Sequence, residues 1–271
     1  MNSKYIILIL AVLVIISAYM MFIPKGNYET LQIAGSTSVQ PVVEKLVDKF
    51  QETHPNVHIN VQGGGSGLGI RTVDQGIVQI GMTSEELEPQ DAAGLTEYQI
   101  GKDGIVIAVN NANPVSNLTT EELREIFSGN ITNWNQLGGP DEEIHVIVRE
   151  SGSGTMQSFQ NMVMGQTKIE KNAIVQSSTE SVKQAVKQDP GAIGFISLVN
   201  LDSNVKALKI NGVYPSQDTI SNGSYTLQRP FTLLVKGQPE GITKEFIDWV
   251  LSPEGQAIIK QTKVVPVNTT T

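Results

Sequence analysis

A chain of 271 residues exceeds the usual single-domain length and has ample apolar material for a core, so two lobes or one large α/β unit are expected. The formal charge of -8 argues against a nucleic-acid partner, because duplex binding relies on clustered Lys and Arg to displace counterions. With no cysteine, disulfides, thiolate metal sites, cysteine nucleophiles and a lipidated cysteine are all excluded.

Residues Tyr5 to Ile23 form an unbroken, mostly aliphatic run between Lys4 and Lys25. That is long enough to cross a bilayer as a helix. Residues 1–25 therefore read as a membrane segment, a signal peptide or a retained anchor. The length of the run and the scarcity of small residues before a cleavage point favour the anchor. The rest of the chain is expected to be exported and tethered to the cell membrane.

After a polar linker, Leu31 to Ala34 reads as a strand, followed by the loop Gly35-Ser36-Thr37-Ser38 and a helix from Pro41 to Gln51. Pro41 is tolerated in a first helical turn, and Val42, Val43, Leu46, Val47 and Phe50 recur at helical spacing, which marks that face as core. Val57 to Val61 alternates like a strand and runs into Gly63-Gly64-Gly65-Ser66-Gly67, which opens a helix from Leu68 to Asp74. Val78 to Met82 is the third predicted strand, with Thr83 and Ser84 extending it. Strand, helix, strand, helix, strand predicts a mainly parallel sheet covered on both faces, with ligands at the carboxyl ends of the strands.

Ile105 to Val109 is a further apolar strand, and Thr119 to Phe127 a helix with an acidic first turn. His145 to Val148 reads as a strand that breaks into Arg149-Glu150-Ser151-Gly152-Ser153-Gly154-Thr155 before a helix. A strand that ends in such a loop leaves unpaired N–H groups beside hydroxyls and one cation, which makes an anion cradle. Three loops of this design on one chain point to a single oxyanion held from several sides. Ser178 and Thr179 read as helix caps, Ala192 to Leu198 as a strand, Pro230 to Val235 as a buried return strand, and Glu245 to Leu251 and Glu254 to Gln261 as closing helices. A lobe entered and left through two strands predicts a hinge. Lobe 1 is then 26–108 plus 229–271, and lobe 2 is 109–228.

No cofactor or metal is expected: Pro55 keeps His54 and His58 off one helix face, and the acidic groups near Glu85 and Asp141 lack calcium-loop spacing. No serine sits in a Gly-x-Ser-x-Gly elbow.

The runs Ala34 to Pro41, Phe127 to Trp134, Arg149 to Thr155, Pro190 to Phe195 and Ser252 to Gln256, in this order, resemble the phosphate-binding protein of Pst-type ABC importers. The likeness extends from about Leu31 to Val267. It implies a type II periplasmic-binding-protein fold, two α/β lobes joined by two hinge crossings, that closes on one inorganic phosphate and delivers it to a membrane permease. It also implies a non-enzymatic receptor, expected here as a monomer. By position it implies ligand groups at Thr37, Ser38, Ser66, Arg149, Ser153, Gly154 and Thr155. Where the family's best-studied members place an aspartate that accepts the proton of bound phosphate, this chain has Ser84. A hydroxyl can accept or donate, so exclusion of sulfate is left open. A receptor for sulfate or molybdate and a phosphate-ester hydrolase are the alternatives.

Overall fold

The computed structural model describes residues 28–267, and the apolar run Tyr5 to Ile23 lies outside them. No helix among the described residues is long and apolar enough to cross a membrane.

The chain begins β1 (Glu29–Gly35), α1 (Gln40–Thr53), β2 (Val57–Gly63), α2 (Ser66–Asp74) and β3 (Ile80–Thr83). β2 and β3 both pair parallel to β1. α1 buries Val42, Val43, Leu46, Val47 and Phe50, the face its spacing predicts. Each such side chain contributes on the order of 1.5–3 kcal/mol by leaving water.

The strand expected from Ile105 is much longer: β4 runs Leu95–Val109. Its first half alternates exposed and half-buried residues, a pattern weaker than the apolar run after Ile105. β5 (Asn117–Leu118), α3 (Thr120–Phe127), β6 (His145–Arg149), α4 (Gly154–Phe159), β7 (Ile174–Gln176), α5 (Thr179–Gln188) and β8 (Ala192–Ser197) follow. Short elements β9 (Lys206–Ala207), β10 (Lys209–Ile210) and α6 (Gln217–Ser221) lead to β11 (Gln228–Lys236), and α7 (Gly241–Leu251), α8 (Pro253–Gln261) and β12 (Val265–Pro266) close the fold.

The main sheet has the order β2-β1-β3-β11-β4-β8-β6-β7. Parallel pairing holds within each outer group, where β6 pairs parallel with both β7 and β8. The strands between the groups are antiparallel: β11 to β3 and to β4, and β4 to β8. β4 and β11 thus join two α/β lobes, which explains why a chain with parallel halves has an antiparallel middle.

Each lobe has its own core. One cluster holds Leu31 through Ile100 together with Phe231 through Val264, including the edge-on pair Phe50 and Phe246. The other holds Ile105 through Leu227 and centres on Phe127, Phe159 and Phe195, the last two stacked. The core therefore changes between Ile100 and Ile105 on β4, and between Leu227 and Phe231 on the way into β11. Because the strands of each parallel group end on one rim, the loops after β1, β2, β3, β6 and β7 all reach the junction of the lobes.

Candidate anion-binding site

The first loop leaves β1 at Gly35, whose φ is 141° and where a Cβ would meet Met82 O at 2.2 Å. Only glycine allows β1 and β3 so close, and the Ser36 amide then donates to Met82 O at 2.9 Å. The N-cap position of α1 is Val39, which supplies no side-chain cap, so the hydroxyls before it are available for other partners. Ser38 Oγ lies 3.0 Å from Thr155 Oγ1 and 2.9 Å from Thr179 Oγ1. Thr37 Oγ1 accepts from the Thr179 amide at 3.3 Å.

In the second loop Gly65 has φ 86°, and a Cβ there would meet Gly152 O at 2.7 Å. The glycine run is packed against the other lobe, and Gly67 N–H donates to Gly152 O at 3.1 Å. Ser66 Oγ accepts from the Ser84 amide at 3.2 Å and lies 3.5 Å from Ser84 Oγ. Ser84 Oγ accepts from Ser36 Oγ at 2.8 Å. Its carbonyl accepts from Ser158 Oγ of the opposite lobe at 3.2 Å.

Arg149 ends β6 with its side chain 1% exposed. Glu150 holds the guanidinium along one edge with both carboxylate oxygens, taking Nε at 3.1 Å and Nη2 at 2.7 Å. The carbonyls of Gln176 and Ser177 accept further bonds at 3.2 and 3.3 Å. This leaves Nη1 directed at Thr179 Oγ1, 3.2 Å away. Gly154, the first residue of α4, presses directly on the other lobe: a Cβ there would stand 2.3 Å from Ser66 Oγ and 2.9 Å from Ser84 Oγ.

Of the residues singled out in the sequence, Thr37, Ser38, Ser66, Ser84, Arg149, Gly154 and Thr155 meet in one place. Ser153 stands apart, because its hydroxyl caps α4 by accepting from the Met156 amide at 3.3 Å. Ser38, Ser66, Ser84, Arg149, Ser153 and Thr155 are all buried. Buried hydroxyls and a buried guanidinium are groups able to give hydrogen bonds to an anion.

Sequence reasoning missed four participants. Ser36 accepts from the Ser38 amide at 3.3 Å and so joins the two halves of the cluster. Thr179, read as a cap, is fully buried among the hydroxyls, while Ser178 is the residue that caps α5. Arg229 donates from Nη1 to both Ser84 Oγ and Ser84 O at 3.3 Å. Asp103 takes Arg229 Nε at 3.1 Å and Nη2 at 3.0 Å, and is bonded as well by Ser197 Oγ and the Leu198 amide. The signal for Thr179 was present: a short strand, a Ser/Thr run and a helix start repeat the pattern of the other loops. For Arg229 and Asp103, only strand register could have shown that they stand opposite each other.

Burial pushes the Asp103 carboxyl up and the Arg229 guanidinium down, while each favours the charged form of the other. Asp103 accepts four hydrogen bonds in all, from Arg229 Nε and Nη2, Ser197 Oγ and the Leu198 amide, and each favours its charged form against burial. Burial also pushes the Glu85 carboxyl up to about 7, against the opposing pull of Arg229. Glu85 lines a cavity between the lobes with Arg71 and Gly152. The histidines are engaged elsewhere: His54 with Glu245, His145 with Asp189, and His58 beside Tyr28. Chemically the cluster can donate hydrogen bonds from two sides to a small oxyanion, but it contains no nucleophile paired with a base.

Comparison with known proteins agrees with this geometry. A family model described as PBP superfamily domain matches residues 24–254. The phosphate-binding protein PstS of Bacillus subtilis is 36% identical over 243 residues, covering 88% of this chain and 81% of the relative. That of Borreliella burgdorferi is 27% identical, covering 88% of this chain and 90% of the relative. Among solved structures, a phosphate ABC transporter substrate-binding protein from Clostridium perfringens with bound phosphate superposes with TM-score 0.86 at 36% identity, over 89% of this chain and 100% of that one. A phosphate transport receptor from Vibrio cholerae superposes with TM-score 0.73 at 38% identity, over 88% and 100%. A fold of two hinged α/β lobes, a hydroxyl and arginine cluster at their junction and these likenesses together lead to one conclusion: the chain belongs to the PBP superfamily and, within it, to the PstS family of phosphate-binding proteins.

Proposed function

We propose that this protein captures inorganic phosphate between its lobes outside the cytoplasm and hands it to the permease of an ABC importer. The observation that carries the reading is the meeting of Ser38, Thr155, Thr179 and Arg149 Nη1 at the buried junction, with residues from both lobes. An oxyanion stripped of water needs many donors, since each unmet group costs about 1–3 kcal/mol. Hydroxyls from both lobes, loop amides and one guanidinium supply them, and because they come from both lobes, binding and closure are one event.

In this reading Thr37, Ser38, Ser66, Ser84, Arg149, Gly154 and Thr155 contact the anion, joined by Thr179, and Ser153 acts through the turn it caps. The hinge lies at Lys102 to Gly104 and Gln228 to Pro230, where the core changes lobe, a few residues inside the division at 108. The N-terminal segment tethers a monomeric receptor to the membrane.

Equilibrium titration with phosphate tests the reading: one saturable site per chain is expected. Turnover of an artificial phosphate ester would replace the receptor with an enzyme, and absence of phosphate binding would overturn the reading altogether.

A further inference from the structure

Arg229 and Asp103 stand opposite each other on β11 and β4, within the two stretches where the core passes from one lobe to the other. Both side chains are buried, and Arg229 donates to Asp103 from Nε at 3.1 Å and Nη2 at 3.0 Å. The remaining groups of the pair reach in opposite directions. Arg229 Nη1 donates at 3.3 Å to the carbonyl and the hydroxyl of Ser84, on the rim of the first lobe. Asp103 Oδ1 accepts from Ser197 Oγ at 2.8 Å and from the Leu198 amide at 3.2 Å, both in the second lobe. A continuous chain of bonds thus crosses from lobe to lobe through the hinge.

The lobes stand closed, with Ser158 Oγ donating to Ser84 O at 3.2 Å and Gly67 N–H to Gly152 O at 3.1 Å. A rotation that parts these contacts changes the backbone at Lys102 to Gly104 and Gln228 to Pro230, and so carries Ser84 away from Ser197. One end of the bond chain must then break. A buried ion pair adds little to stability over well-packed apolar side chains, because removing two charges from water offsets most of their attraction. Apolar residues would fill the hinge as well, but without directed bonds they would not favour one lobe angle. Glu85, next to Ser84, faces the same cleft in a cavity it shares with Arg71, Ser151, Gly152 and Gln157, and its charge favours ionised Arg229. It is not part of the bond chain, since the donors of Arg229 go to Asp103 and Ser84.

We propose that Arg229, with Asp103, is a positioning residue that acts through the hinge, favouring the closed angle of the lobes and so tightening phosphate binding without touching the anion. The inference rests on the phosphate reading and deepens it. Apparent affinity scales with the fraction of chains in the binding-competent posture, so a smaller closed population raises Kd.

The chain has no cysteine, so G67C with G152C reports closure. A Cβ on Gly67 would stand 3.6 Å from Gly152 Cα, and a Cβ on Gly152 meets nothing within 4 Å. Without phosphate, the rate at which a short bis-thiosulfonate reagent crosslinks this pair follows the closed population. Replacing the hinge pair together, D103N with R229Q, leaves no lone buried charge and should slow crosslinking about tenfold, the worth of one hydrogen bond. A merely structural role would not produce that slowing. In the chain without added cysteines the same replacement should raise the phosphate Kd by a similar factor, mostly through faster release. R229K keeps the charge beside Asp103 but loses the fork that reaches Ser84, and should act in the same direction should the double replacement fail to fold. The slowing should persist in an E85Q background. Equal crosslinking rates with and without the hinge pair in folded proteins, or a slowing that disappears in E85Q, would overturn the inference alone. A chain that crosslinks as expected but takes up no phosphate would overturn the phosphate reading, and with it the role of Arg229 in binding.

Discussion

Replacing Arg149 with alanine removes the nitrogen by which that residue faces the hydroxyl cluster, Nη1, which points at Thr179 Oγ1 from 3.2 Å. The other nitrogens are bound to Glu150 and to the carbonyls of Gln176 and Ser177, so they orient the group and leave Nη1 facing the cluster. A hydrogen bond between charged partners contributes about 1.5–3 kcal/mol, and loss of the facing charge adds to this, giving about 2–4 kcal/mol. Phosphate affinity should fall roughly 30- to 1,000-fold at 1.4 kcal/mol for each factor of ten. The fold should survive. Glu150 loses its partner, but its side chain is 33% exposed and water can take over, so a Tm decrease of only a few degrees is expected. Arg149→Lys keeps the charge without the planar fork and should fall between the two. Calorimetric titration with phosphate, alongside thermal melting by circular dichroism, reads both effects. Unchanged affinity in a folded Arg149→Ala protein would refute the reasoning.

Gly154→Ala should block closure without unfolding either lobe, because the added Cβ would strike Ser66 Oγ and Ser84 Oγ across the junction. Small-angle scattering with phosphate should then keep the open dimensions, and a phosphate-induced contraction equal to wild type would contradict this. Asp103→Ala leaves Arg229 buried and unpaired, which costs about 3–5 kcal/mol and should lower Tm by roughly 6–20 °C; a decrease under about 2 °C would count against the buried pair. Glu85 holds its proton in the folded state up to about 7, above the usual carboxylate range, so stability should fall as pH rises from that range to about 7 and level off above it. Glu85→Gln should therefore raise Tm at about pH 8 and change it little at about pH 4, and equal shifts at both would argue against a desolvated carboxyl.

Much of the first lobe was legible because its elements follow local rules. Val42 through Phe50 mark a core face by spacing alone, and Gly35, Gly63 and Gly65 punctuate strand ends where the chain must turn closely. The same local signal exposed the loops at Ser38, Ser66 and Arg149. What stayed hidden depends on distant pairing. Asp103 lies in Lys102-Asp103-Gly104, a triplet that suggests a turn, yet β4 continues through it because β11 pairs alongside. Arg229 precedes a proline and an apolar run, and nothing nearby indicates that its charge is buried against a residue 126 positions earlier. Thr179 was misread for a different reason: β7 before it is short and exposes Ile174 and Val175, so the strand that would have identified the loop was faint.

A crystal structure grown with phosphate tests most directly where the anion sits. Phosphate should lie between the lobes, its oxygens within hydrogen-bond distance of Arg149 Nη1 and of the hydroxyls of Ser38, Thr155 and Thr179. Phosphate bound on an outer face, with those hydroxyls still bonded to one another, would contradict it.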